Sequence, residues 1–170
     1  MATLLSAYNF VFKSYTPYLA NGGGTLWDTQ TEDLADEICE VCETDEEKVQ
    51  AIYQWIILNF EYDYDYYPPI QFSDIRKTLS TKQGICFDFA HLFSALCRSQ
   101  DIPCYMIEGD LRYSRGYGHA WNRVYFNGNW WNIDVTNDLC ATKNNKKLYG
   151  FCKLENAASP DAEYVITRIY

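Results

Sequence analysis

The chain has 170 residues, 48% of them hydrophobic and 22% charged, enough for a real core in one domain spanning 1–170. Its net charge of −9 repels nucleic acid and anionic membrane surfaces, so neither is expected as a partner. No apolar run reaches the roughly 18 residues of a membrane span. The start, MATLLSAYNFVFK, has no basic leader and places Lys13 in its apolar part, so it reads poorly as a signal peptide. Seven cysteines, an odd number, leave at least one thiol unpaired within the chain. That suits a reducing, cytoplasmic setting better than a disulfide scaffold. An exported chain whose leader has been removed is the alternative.

Residues 1–20 read as extended chain or a short helix, and Asn21-Gly22-Gly23-Gly24 as a joint. Thr29 and Glu32 have capping-box spacing, which predicts a helix to about Cys42. Thr44 and Glu47 repeat the signal for a helix to about Phe60, with Val49, Ile52, Tyr53, Ile56 and Phe60 on one stripe. Residues 61–66 alternate strictly and predict a strand with tyrosines on one face. Ser73 is placed to cap a helical turn over 74–79. Cys39 and Cys42 have a zinc-like spacing, but no second Cys or His pair matches it, so no metal is expected.

The next stretch organises the rest. Cys86, Phe89, Ala90, Phe93, Leu96 and Cys97 fall on one helical stripe. Asp88, His91, Ala95 and Arg98 lie on the other side, where His91 reads as solvated. Cys86 thus sits in the first turn of a largely buried helix. Free N–H groups and the positive end of the dipole favour a thiolate there and can hold an oxyanion. Cys104–Glu108 reads as a strand, and 111–118 as a loop.

His119–Phe126 and Asn129–Thr136 are strand-like runs separated by Asn127-Gly128, the signal for a two-residue type I′ hairpin. Paired positions then sum to 255. His119, Trp121, Arg123 and Tyr125 share a face with Trp130, Asn132, Asp134 and Thr136. His119 and Asp134 become diagonal neighbours about 7 Å apart, within reach of each other. An aspartate in a run as apolar as WWNIDV needs a partner, and His119 is the nearest. Cys86, His119 and Asp134 therefore supply a nucleophile, a base and an orienting group for amide chemistry through a thioester. The Cys86 N–H is the first candidate for an oxyanion donor, and Gln83 a possible second.

GICFDFAHLFSALCRSQDIPCYMIEG followed by GHAWNRVYFNGNWWNIDVT resembles the core of the transglutaminase-like superfamily, related to papain-type cysteine peptidases. Its Gly-x-Cys helix, Ile-Pro strand, His-Ala-Trp strand, Gly-x-Trp step and Ile-Asp-x-Thr strand all occur, in order, over about 79–137. The resemblance implies an α+β fold, with N-terminal helices and the cysteine helix packed on an antiparallel β-sheet. It implies a catalytic triad of Cys86, His119 and Asp134, a peptide or protein substrate, and no cofactor. No calcium-binding loop spacing is present. The expected activity is a cysteine peptidase or amidohydrolase. The alternatives are transfer of a protein glutamine to an amine, and a non-catalytic binding module that keeps the fold.

Overall fold

The computed structural model describes residues 25–66, 73–111, 118–144, 146, 148, 150–153 and 164–170. The expectations for 1–24 and for the loop 112–117 lie outside them. Helix α1 (Thr29–Cys39) is capped one residue earlier than the spacing predicts. Asp28 Oδ1 accepts from Thr31 N–H at 3.1 Å. Glu32 is drawn aside to accept from Trp27 Nε1 at 3.0 Å, so the Thr29 box does not form. Helix α2 (Asp45–Asn59) starts as predicted, with a reciprocal box. Thr44 Oγ1 accepts from Glu47 N–H at 3.2 Å, and Glu47 Oε2 accepts from Thr44 N–H at 3.0 Å.

The strand expected over 61–66 shortens to β1 (Glu61–Tyr62), which pairs in parallel with β2 (Gln83–Gly84). The chain turns at Asp63, whose carboxylate accepts from Asp65 N–H at 3.1 Å. Between them lies α3 (Ile75–Thr81), capped by Asp74 rather than Ser73. It ends on Lys82 in the left-handed region, at φ 55°.

Helix α4 (Cys86–Ser99) is the centre of the packing. Every residue from Cys86 to Arg98 is buried, so the polar side expected for Asp88, His91, Ala95 and Arg98 does not face solvent. One side of the helix lies on the sheet, and α1, α2 and α3 cover the rest. Phe89, Phe93 and Leu96 pack fully buried with Ile52, Ile56, Phe60, Val124 and Ile133. Each such side chain contributes about 1.5–3 kcal/mol by leaving water. The buried Arg98 guanidinium is held by main-chain oxygens. Its Nε donates to the Cys104 carbonyl oxygen at 2.6 Å and its Nη2 to the main-chain O of Tyr170 at 2.8 Å.

The sheet comprises β3 (Cys104–Leu111), β4 (Gly118–Phe126), β5 (Asn129–Ile133), β6 (Phe151–Lys153) and β7 (Tyr164–Ile169). All neighbours are antiparallel, in the order β6-β5-β4-β3-β7. Asn127 and Gly128 both have positive φ, 49° and 76°, as a type I′ turn requires. Register pairs run from Phe126↔Asn129 to Asn122↔Ile133, each summing to 255. The ladder stops there. The pairs expected between Trp121 and Asp134 and between His119 and Thr136 do not form. Val135 and Thr136 instead open helix α5 (Val135–Lys143), with Asp134 as its N-cap. Helices packed on an antiparallel sheet make this the expected α+β fold.

Candidate active site

Three elements meet at the N-terminus of α4. The first is the turn into that helix. Asp88, three residues into it, reaches back and accepts from Ile85 N–H at 3.0 Å. A Cβ on residue 84 would lie 2.9 Å from Asp88 Cβ, so Gly84 is what lets the carboxylate fold back. This gives the Gly-x-Cys pattern a physical reason. It places Cys86 at the first helical position, where its N–H has no intrahelical acceptor.

The second element is β4, which carries His119 beside strand β3. The third is the start of α5. The His119 Nε2 lies 2.6 Å from Asp134 Oδ2, with 10% of the His119 side chain and 1% of the Asp134 side chain exposed. The carboxylate is held in place by its capping role. Oδ1 accepts from Asn137 N–H at 2.9 Å, and Oδ2 also accepts from Asn137 Nδ2 at 2.8 Å. Asp134 thus approaches His119 from a helix cap, not from a strand opposite it. Burial alone would lower the basicity of His119. The Asp134 charge and hydrogen bond, with a smaller contribution from Cys86, override it and push the imidazole up to about 10.

An aromatic group supports the imidazole. His119 stacks near Trp121, with ring centroids 6.1 Å apart, and tilts against Tyr164 at 5.1 Å. Trp121 is fully buried. Its indole crosses β3 where Gly109 leaves room, since a Cβ there would meet the Trp121 ring at 2.7 Å. Cys86, with 8% of its surface exposed, and His119 line a cavity of about 210 Å³. Glu108, Asp110 and Thr167 line it too, with Arg168 Nη1 4.0 Å from Glu108 Oε2 at its edge. Gln83 borders a different hollow, with Asp63, Tyr66 and Asp88, and is not at this cavity.

So Cys86, His119 and Asp134 gather as the sequence predicts. The sequence reading misses Asn137, Tyr164 and the two cleft carboxylates. Asn137 had a signal in the Asp134-x-x-Asn137 spacing of a helix cap. Tyr164 had none, because it arrives on β7 from thirty residues away (164 − 134). The six described cysteines are all free thiols.

The model for the transglutaminase-like superfamily matches residues 32–135, well over half of the sequence. The chain belongs to the transglutaminase-like superfamily. The human kyphoscoliosis peptidase is 31% identical over 119 residues, which cover 62% of this chain and 18% of that protein. The chain therefore spans less than a fifth of that relative. A candidate cysteine protease from Cytophaga hutchinsonii superposes with a TM-score of 0.61 at 26% identity, covering 92% of this chain and 54% of that one. The periplasmic domain of TgpA from Pseudomonas aeruginosa shares the fold, at TM-score 0.57 and 21% identity, covering 78% of this chain and 49% of that one.

Proposed function

We propose that the chain is a cysteine-dependent amide-bond hydrolase acting on peptides, with Cys86, His119 and Asp134 as its triad. The observation that carries this reading is the 2.6 Å contact between His119 Nε2 and Asp134 Oδ2, which leaves Nδ1 for the Cys86 thiol at the same cavity. The Cys86 Sγ attacks the amide carbonyl carbon, and the N–H groups of the first helical turn receive the oxyanion. His119, kept as imidazolium by Asp134, gives its proton to the leaving amine as the C–N bond breaks. Water then attacks the thioester, losing its proton to His119. The C–S bond breaks, the acid departs, and the Cys86 thiolate is restored beside the imidazolium.

Amine transfer is the second reading. Glu108 and Asp110 line the cleft and would draw in a cationic amine to take the place of water. Water stands at about 55 M, so an amine must be bound and oriented to compete. Both readings are tested by incubating a glutamine-containing peptide library with a labelled primary amine, followed by mass spectrometry. Hydrolysis predicts cleaved peptides or deamidated glutamine that require Cys86. Amine adducts on glutamine without cleavage would reverse the choice. Products unchanged in Cys86→Ala would sink both.

A further inference from the structure

A second cavity is larger than the one at Cys86. It measures about 430 Å³ and opens between the chain leading into α1, the start of α3 and the next face of α4. Leu26, Trp27, Ile75, Phe87 and Tyr170 give it apolar walls. Its volume lies within the range of ligand pockets. Phe87 directly follows Cys86, so the two cavities lie on adjoining faces of one helix turn. Tyr170 bridges them further. Its ring meets Phe87 edge-on at 6.1 Å, and its hydroxyl donates to Glu108 Oε1 at 2.9 Å in the Cys86 cleft.

The polar groups of this cavity define what it can hold. His91, 6% exposed, lines it. Leu26 N–H donates to His91 Nε2 at 3.1 Å, which requires a lone pair on that nitrogen. The ring proton therefore sits on Nδ1, and this buried donor has no partner among the described residues. Burial and the nearby Arg98 charge push the imidazole down to about 4, in keeping with a neutral ring. The Ser73 hydroxyl, on another lining residue, is also buried without a partner. At the rim Arg76 Nε donates to Asp28 Oδ2 at 2.7 Å, and the Asp74 carboxylate accepts from Arg76 N–H as the cap of α3, so no unpaired cation among the lining residues awaits an anionic guest. Neutral donors without acceptors, set in an apolar wall, call for a neutral guest with an apolar body and a carbonyl oxygen.

We infer that this cavity is a substrate subsite, taking an aromatic or branched apolar side chain of a peptide together with its backbone carbonyl. The substrate assignment rests on the amide-hydrolase reading, whereas binding does not. Because Phe87 lines this cavity and Cys86 the other, the guest side chain would belong to a residue near the reacting amide.

The test has a binding arm and a kinetic arm. In the first, N-acetyl-L-phenylalaninamide is titrated into the Cys86→Ala chain and followed by NMR. We expect saturable shifts at the Leu26 amide and the His91 ring, with contacts from the probe ring to Trp27 and Phe87. N-acetylglycinamide should produce none, and Ser73→Phe should weaken binding tenfold or more by filling the space. Shifts confined to Gly118 and Ala120, or no saturation, would overturn the inference. This arm passes or fails whether or not the wild type cleaves anything. In the second arm, peptides with phenylalanine or leucine beside the scissile residue should show a KM about tenfold below glycine peptides. Ser73→Phe should erase that gap by raising the KM of the phenylalanine and leucine peptides to that of the glycine peptides. Equal KM values across the peptides would overturn the substrate assignment.

Discussion

The chain has two histidines with opposite fates: His91 is buried on α4, and His119, with 10% of its side chain exposed, stands at the cavity beside the start of that helix. His119 faces a carboxylate and is pushed up to about 10. His91 faces a backbone N–H and the positive charge of Arg98, and is pushed down to about 4. Burial penalises the charged form in both, so partners decide which form survives. The first imidazole is held protonated beside a thiol. The second is held neutral in an apolar wall. The 2.6 Å contact with Asp134 is the largest difference between the two imidazoles, and it matches the two roles proposed for them.

The sharpest way to break the comparison is to remove that carboxylate's charge. Asp134→Asn should keep the N-cap and the fold but lose catalytic rate on the order of 10⁴, as triads generally do. Steady-state kinetics beside circular dichroism would read it. Near-normal rates in a folded variant would separate Asp134 from the role given to it here.

The two histidines should also bend stability in opposite directions with pH. An unperturbed imidazole titrates near about 6.5. The folded His119 holds its proton to about 10, so its stabilising contribution is complete below 6.5 and is lost as pH rises towards 10. The folded His91 refuses its proton down to about 4, while the unfolded chain takes one below 6.5. Stability should therefore fall between pH 6.5 and 4 by up to about 3 kcal/mol on account of His91. Urea denaturation at pH 7 and pH 4.5 would detect it. His91→Gln should lose less stability over that interval than the wild type, and parallel losses would contradict the assignment.

A smaller effect probes the floor beneath His119. Gly109→Ala drives a methyl group into the Trp121 indole and the Val165 carbonyl. Overpacking of this kind costs about 1–3 kcal/mol. The catalytic rate should drop with it as Trp121 shifts against the imidazole. Wild-type stability in this variant would mean that the indole has room to move.

How legible the site was can be argued from particular residues. Cys86 was readable because a glycine, a cysteine and an apolar stripe share one helix start. Asn127-Gly128 set the hairpin register, which holds from Phe126 to Asn122. Asp134 was placed beside His119 for a reason only half right. The β-branched Val135 and Thr136 read as strand, yet the Asp134 cap turns them into a helix. The aspartate reaches the same imidazole by another route. His91 was misread because its burial comes from Leu26, 65 residues away in sequence. Helical periodicity reports one face to bury, and α4 is enclosed on every face. Long-range covering of this kind leaves no local pattern.

The central claim is that His119 and the α4 N-terminus make Cys86 a nucleophile. The most direct measurement is brief iodoacetamide treatment near pH 7, with peptide mapping of all seven cysteines in the wild type and in His119→Ala. Cys86 should be alkylated first despite its burial, ahead of the more exposed Cys42 and Cys140, and that lead should vanish in His119→Ala. Labelling that follows exposure alone, with Cys42 and Cys140 first and no change in His119→Ala, would contradict the account.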